Sequence, residues 1–109
     1  MTNETFKTRR EKWTKERFLL SEKKSKEYTV GKEDRQYNFK AVGELLGLSP
    51  EIVLSVYFLK HVFGIMDYVR RGGNPDATES VFGRIDDAQN YLDNLRGLLE
   101  ETQPSVSES

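Results

Sequence analysis

The chain has 109 residues, of which 36% are hydrophobic and 32% charged, with a formal net charge of −1 and no cysteine. This length suits one domain with a modest core, and the lack of cysteine excludes a disulfide framework and a thiolate metal site. The most apolar run, residues 52–69, is interrupted by Lys60, His61 and Asp67, so we predict a soluble intracellular protein without a membrane span. Charge is uneven, because residues 1–35 hold 11 of the 17 Lys/Arg but 7 of the 18 Asp/Glu.

Residues 3–25 are predicted to form a charged helix, since they are rich in Lys, Glu and Arg and contain neither Gly nor Pro. Phe6, Trp13 and Leu20 recur every seven residues and therefore share one stripe of this helix. The stripe either docks on the rest of the molecule or forms a contact surface for a partner protein. The basic N-terminal part also allows nucleic-acid binding, but the acidic residues interleaved along it weaken that interpretation.

A loop is predicted over residues 28–36, within the stretch KEYTVGKEDRQYNFK. Thr29 and Val30 disfavour a helix, and Gly31 permits a positive φ angle. Neither helix periodicity nor linker composition explains the residues of this stretch.

Two helices are predicted to follow the loop. The second helix covers about residues 35–46, with Asp34 as its cap and Gly47 as its C-terminal glycine. The third starts at Ser49-Pro50, an N-cap serine and a first-turn proline, and runs to about Arg71, where Gly72-Gly73-Asn74-Pro75 ends it. Because its apolar residues cover nearly every face, we predict that the third helix is central and buried.

The fourth helix is predicted to begin with a capping box formed by Asp76 and Glu79 and to run to about Thr102. Its predicted core stripe consists of Val81, Ile85, Ala88, Leu92, Leu95 and Leu99. The polar tail, residues 103–109, is predicted to be disordered. The predicted organisation is an all-α four-helix domain: an N-terminal helix (1–25), a helical core domain (26–102) with the motif-bearing loop between helices 1 and 2, and a tail.

Polar residues on the third and fourth helices suggest a pocket between them. On the third helix they are Lys60, His61 and Asp67; on the fourth, Arg84, Asp87 and Tyr91 follow the spacing i, i+3, i+7 and face one neighbour. His61 is either a core histidine satisfied by a neighbour or a ligand-binding or acid–base group. Asp67 is either a salt bridge or loop cap, or part of a site. Asp86, Asn90 and Asp93 are expected to point further towards solvent.

Most catalytic chemistries lack their residues in this chain. There is no Gly-rich phosphate loop, no HExxH, no CxxC, and the single histidine excludes a His cluster for zinc. Asp67 and Asp87, together with a phosphate, are weak candidates for a Mg²⁺ site. The sequence therefore favours binding over catalysis, with no other cofactor expected.

From Lys26 to Glu101 the chain resembles a group of small, uncharacterised helical proteins of bacteriophages and prophages. The residues that carry the resemblance are Glu27-Tyr28-Thr29, Gly31, Asp34-Arg35, Asn38-Phe39-Lys40, Lys60-His61, Asp67, Asp87, Asn90-Tyr91, Leu95-Arg96 and Glu100-Glu101. More distantly, the order of these motifs is similar to that of phage nucleotide-modification-associated helical domains. It is also faintly similar to that of all-α nucleotide pyrophosphohydrolases, but the ExxE acid pair of those enzymes has no counterpart on the third helix.

The leading functional prediction is a phage accessory protein of the host cytoplasm that binds a small anionic ligand in a pocket between helices; the resemblance implies that this ligand is a nucleotide. Its predicted ligand-binding residues are Tyr28, Arg35, Asn38, Lys60, His61, Asp67, Arg84, Asp87 and Tyr91, and Tyr37 is an alternative ring for stacking. The alternative is a phage protein that modulates a host protein through Phe6, Trp13 and Leu20. Nucleic-acid binding is the third prediction, and the amphipathic helices are also compatible with a homodimer.

Overall fold

The computed structural model describes residues 1–29 and 32–102, apart from the side chain of Tyr28. Within these residues the chain forms four helices and no strand: α1 (Asn3–Tyr28), α2 (Tyr37–Leu46), α3 (Pro50–Arg71) and α4 (Val81–Thr102). The predicted all-α four-helix fold is therefore confirmed. The predicted tail, residues 103–109, and Val30 and Gly31 of the predicted loop lie outside the described residues.

The start of α3 and the C-terminal ends of α2 and α3 are set by the capping residues that the sequence predicts. The Ser49 hydroxyl accepts a hydrogen bond from the backbone N–H of Ile52 at 3.2 Å, and proline occupies the first turn of α3. Gly47 ends α2 with φ 71°, and Gly72 ends α3 with φ 67°. These left-handed backbone angles favour glycine, because a Cβ atom would be strained there.

The loop between α1 and α2 is shorter than predicted. α1 continues three residues past the predicted end at residue 25, so that Tyr28 belongs to the helix. The hydroxyl and backbone N–H of Thr29 both donate to the Ser25 carbonyl, at 2.7 and 3.0 Å, and close the helix. α2 begins at Tyr37, two residues later than predicted, and Gln36 rather than Asp34 occupies its N-cap position. Asp34 instead accepts a hydrogen bond from the backbone N–H of Gln36 at 2.9 Å, within the loop.

The predicted capping box before α4 is wrong. Asn74 organises a turn in that segment, since its side-chain oxygen accepts from the backbone N–H of Asp76 at 3.0 Å. α4 begins at Val81, and the Ser80 hydroxyl accepts from the backbone N–H of Gly83 at 3.0 Å. Glu79 is therefore not needed as a cap, and its carboxylate lies near α3 instead.

α3 is the central helix, as predicted, and packs most extensively against α4 and then against α2. The core consists of Phe39, Val53, Leu54 and Leu98, with Val42, Phe58, Tyr91 and Leu95 packed against it. Lys40 joins the loop and α4, because its ammonium donates to Asp34 at 2.7 Å and to Glu101 at 3.0 Å.

α3 is not buried on all faces, which corrects the sequence prediction. Its exposed apolar residues include Ile52, Val56, Leu59, Phe63 and Met66. By length and composition α3 is apolar enough to cross a membrane, and 17% of its most apolar segment is buried. On α4, Ile85, Leu92 and Leu99 are also exposed, whereas Ala88 and Leu98 are buried. The buried face of α4 is thus rotated relative to the predicted stripe, because α4 packs mainly on one neighbour, α3.

α1 docks on α4 through charged groups. The Arg17 guanidinium donates to Asp93 at 2.8 Å, and the Lys24 ammonium donates to Asp87 at 2.6 Å. Residues 3–16 are exposed throughout; within them Phe6 and Trp13 contact each other edge to face at 6.0 Å. The apolar stripe therefore does not dock α1 on the body, apart from the half-buried Leu20.

Candidate functional site

All four helices contribute side chains to one polar cavity of about 350 Å³. Of the predicted ligand-binding residues, six line it: Arg35, Asn38, Lys60, His61, Asp87 and Tyr91. The volume is in the range of small-molecule sites, and a crevice between packed helices is a common position for one. The cavity is therefore the candidate binding site.

One wall of the cavity is aromatic. The rings of Tyr57 and Tyr91 are parallel to within 9°, with centroids 6.2 Å apart. Tyr91 also contacts His61, at 5.6 Å between ring centroids, and the buried Phe39, at 6.1 Å. Exposed edges and faces of such rings can contact a flat ligand ring.

Cationic side chains outnumber acids around the cavity. The cations are Lys24, Arg35 and Lys60, and the acids are Glu79 and Asp87. Arg35 is held by α1, since its guanidinium donates to Glu22 at 3.0 Å and to the Ser21 hydroxyl at 2.8 Å. Lys60 is exposed and makes no ion pair within residues 1–29 and 32–102. Because Lys24 and Arg35 are paired with acids, Lys60 is the lining cation that remains unpaired among the described residues, and its charge favours an anion.

His61 is buried between two carboxylates. Its Nδ1 lies 3.8 Å from Glu79, and its Nε2 lies 3.8 Å from Asp87. Burial lowers the pKa of His61 below its usual value, although both carboxylates act to raise it. The imidazole is therefore neutral near pH 7, so that one ring nitrogen can donate a hydrogen bond and the other can accept one.

Two buried nitrogen atoms at the cavity have no hydrogen-bond partner among the described residues. They are Nδ1 of His61 and Nδ2 of Asn90. Asn90 itself is fixed, because its side-chain oxygen accepts from Arg17 at 3.2 Å. Buried polar atoms are nearly always hydrogen-bonded, so both nitrogens are candidate contacts for a bound molecule or for water.

His61, Glu79 and Asp87 could also hold a metal ion. Each offers one ligand atom, and these atoms lie within 4.8 Å of one another. One imidazole and two carboxylates suit several divalent ions. Two cations compete for the same acids, however, because the Lys24 ammonium binds Asp87 at 2.6 Å and the Arg84 guanidinium lies 3.8 Å from Glu79.

The structure does not bring Asp67 to the cavity. Its carboxylate accepts a hydrogen bond from the side chain of Asn74 at 2.9 Å and lies 3.5 Å from Arg71. Asp67 therefore braces the turn that follows α3, which was one of its two interpretations from sequence. Asp67 and Asp87 therefore do not form the Mg²⁺ site that the sequence suggests. Asp87 lies instead in a group with His61 and Glu79 that could hold a metal ion.

Two other predicted residues, Arg84 and Tyr37, do not line the cavity. Arg84 lies across α3 at Gly64, where an added Cβ atom would be 2.6 Å from the guanidinium. Its charge acts on two lining residues, since the guanidinium lies 3.8 Å from Glu79 and helps to lower the pKa of His61. The ring of Tyr37 lies under the Lys32 ammonium at 5.7 Å. The side chain of Tyr28 is outside the described residues.

Sequence reasoning missed Lys24, Tyr57, Glu79 and Asn90 at this site. Lys24 is one of many lysines on α1, and nothing in its spacing distinguishes it. Asn90 is 8% exposed, although its position on α4 predicted a solvent-facing side chain. Tyr57 carried a usable signal, because it shares one side of the third helix with His61. Asn90 carried another, because it belongs to the motif Asn90-Tyr91.

Comparison with known protein families, with curated proteins and with solved structures finds no match to this chain. The fold and the site alone therefore define its class: a small helical domain with a polar, partly aromatic cavity between its helices.

Proposed function

We propose that this chain is a phage accessory protein that binds a small anionic ligand with a flat ring, a nucleotide, in the cavity between its four helices. The observation that carries the proposal is the composition of that one cavity. It combines three cationic side chains, two parallel tyrosine rings and two buried nitrogen atoms without partners among the described residues. Residues that carry the resemblance to phage proteins, including Asn38, His61 and Asp87, lie in this lining.

The cations and rings have separate roles in this proposal. Lys60 is exposed at the cavity and contacts the phosphate, where a flexible ammonium acts as a point charge. Arg35 is positioned by Ser21 and Glu22 and supplies a planar group for a second phosphate oxygen. The base stacks on the Tyr57–Tyr91 wall, and Asn90 contacts a polar edge of the ligand.

Binding rather than turnover is the proposed role. The cavity contains a neutral imidazole, that of His61. Among the described residues, no Ser or Thr of the lining forms a hydrogen bond with it. The site therefore lacks a hydroxyl nucleophile that His61 would activate. The Lys24–Asp87 ion pair at the site fixes α1 to α4.

Thermal shift with a panel of nucleoside mono-, di- and triphosphates tests the proposal, each measured in Mg²⁺, in Mn²⁺ and in EDTA. A ligand at 100 times its Kd raises the free energy of unfolding by about 2.7 kcal/mol, which gives a clear rise in Tm. A panel that leaves Tm unchanged under all three conditions contradicts the proposal. A shift by the metal ions alone would instead assign His61, Glu79 and Asp87 as a metal site.

A pair of variants localises the binding. Lys60→Met removes a cavity cation and is expected to weaken nucleotide affinity by about tenfold, the value of one charge-assisted contact. Lys12→Met removes the same charge from exposed α1, outside the cavity, and is expected to leave affinity unchanged. Equal effects of the two variants would show that binding depends on overall charge rather than on the cavity.

Exposed aromatic residues on α1 favour a second candidate function, the modulation of a host protein. Phe6 and Trp13 are 46% and 44% exposed, although they contact each other, and residues 3–16 around them are exposed. Aromatic anchors of this kind are enriched at interaction hot spots. A Phe6→Ser, Trp13→Ser variant should lose a host partner that the wild-type chain retains. If the variant and the wild-type chain bind the same host proteins, this function is rejected. Nucleic-acid binding, by contrast, would show steep salt dependence.

A further inference from the structure

Five exposed apolar side chains of α3 form a single line, which we call the α3 stripe: Ile52, Val56, Leu59, Phe63 and Met66. Their spacing alternates between four and three residues, the pattern with which one helix packs against another in a coiled coil. The opposite face of α3 holds the buried residues Val53, Leu54 and His61. The α3 stripe is therefore separate from the face that forms the core and the cavity.

We propose that the α3 stripe binds the α3 stripe of a second copy of this chain, with the two helices antiparallel. The resulting two-fold symmetric contact is self-complementary, since both copies offer the same residues. A lipid environment fits less well, because a helix surrounded by lipid is apolar on every face, whereas α3 carries His61 and Asp67 and packs on α2 and α4.

Charge at the ends of α3 selects the antiparallel orientation. Glu51 lies in the first turn, and Arg70 and Arg71 lie in the last turn. In an antiparallel pair the acidic start of one helix lies level with the basic end of the other, and the helix dipoles oppose each other. A parallel pair would place like charges together at both ends.

The heptad positions also align in the antiparallel orientation. When the two copies of α3 overlap along their length of about 33 Å, Leu59 lies opposite Phe63 of the second copy, and Val56 lies opposite Met66. Ile52 then lies opposite Arg70, at the end of the contact. All five residues of the stripe are used, and each has a partner from the other copy.

The exposed area is large enough for such a contact. Phe63 and Val56 are 67% and 62% exposed, and the other three residues are 44–52% exposed. Together they offer on the order of 500 Å² of apolar surface, at the upper end of the largest patches of monomeric proteins. Flanking side chains such as Val69 would extend the contact towards the roughly 800 Å² per partner of a stable interface.

The molar mass in solution tests the proposal on the full chain. Light scattering after size exclusion and sedimentation equilibrium should give twice the chain mass of 12.6 kDa at micromolar concentration. Val56→Glu and Phe63→Glu should each weaken the dimer by at least about 100-fold, since every dimer would bury two unpaired charges. Leu19→Glu, which alters a 58% exposed residue on α1, should leave the dimer intact.

Circular dichroism of each variant should show unchanged helicity, because all three substituted positions are exposed in the folded chain. A wild-type chain that is monomeric at about 100 μM would overturn the proposal. A dimer that survives both stripe substitutions would also overturn it. Flotation with phospholipid vesicles that depends on Val56 and Phe63, in a monomeric chain, would assign the stripe to a membrane surface instead.

Single cysteines test the orientation, because the chain contains none of its own. Under mild oxidation, a mixture of Ile52→Cys and Arg70→Cys proteins should form a disulfide-linked pair, and neither protein should do so alone. Rapid linkage of Ile52→Cys with itself would show a parallel pair and overturn the antiparallel arrangement. The proposal does not depend on the nucleotide, so its outcome and that of the proposed function are independent.

Discussion

Lys24 is the residue that most directly joins α1 to the cavity. Its ammonium binds Asp87 at 2.6 Å, and the side chain of Asp87 is 14% exposed. A carboxylate at this depth is costly without a partner, because burial removes water from the charge. The pair therefore stabilises both the docking of α1 and the position of an acid beside His61.

Lys24→Met is expected to destabilise the fold by about 1–2 kcal/mol, since it leaves the mostly buried Asp87 without its ammonium partner; partial exposure of Lys24 reduces the loss. Lys12→Met is the matched control, because Lys12 pairs with Glu16 at 3.9 Å on the exposed surface of the same helix. It should cost under about 0.5 kcal/mol. Chemical denaturation of both variants measures the difference, and equal losses would contradict the role of Lys24.

Asp34 gives the fold a dependence on acid pH. The Lys40 ammonium and then the backbone N–H of Gln36 lower the pKa of Asp34 below its ordinary value of 3.8. A carboxylate with a lowered pKa contributes stability above its unfolded pKa, and the contribution is lost as pH falls through the lower folded value. Asp34→Asn should therefore reduce the loss of unfolding free energy between pH 5 and pH 3. Glu44→Gln, an exposed acid on α2, should retain the wild-type pH dependence, and identical curves for all three proteins would contradict the prediction.

Close packing between elements depends on Gly43. A Cβ atom there would lie 2.5 Å from the backbone oxygen of Leu48, at the junction of α2 and α3. Gly43→Ala is expected to destabilise the fold by about 1–3 kcal/mol, because the backbone of the junction must move. At Gly64 the nearest atoms belong to the flexible side chain of Arg84. Thermal unfolding should thus show a smaller loss for Gly64→Ala, and the reverse order would contradict this account.

At the level of helices, the sequence predicted those helix ends that depend on a few neighbouring residues. Ser49, Gly47 and Gly72 cap their helices as expected, because each acts through its own backbone geometry. The start of α4 was mispredicted because two candidate caps compete there. Ser80 caps α4, and Glu79, which the sequence assigned to a capping box, lies beside His61.

For the whole molecule, the two halves of α1 have different roles. Residues 3–16 are exposed, whereas Ser21, Lys24 and Ser25 line the cavity. Deleting residues 1–12 should leave Tm and nucleotide binding nearly unchanged, because these residues are exposed. Deleting residues 1–25 should abolish nucleotide binding and lower Tm, since it removes the partners of Asp87 and Asp93. Retained binding after the longer deletion would contradict the cavity assignment.

The sequence by itself determined the four helices, their order and most of their ends, since these depend on spacing and caps within a few residues. It also placed His61, Asp87 and Tyr91 on faces that could meet. Only the tertiary structure decided that Lys24, Glu79 and Asn90 join them and that Asp67 does not. It also decided which face of α3 is buried. α3 is apolar on nearly every side, so periodicity could not choose between its faces; packing against α2 and α4 buried one and left the α3 stripe exposed.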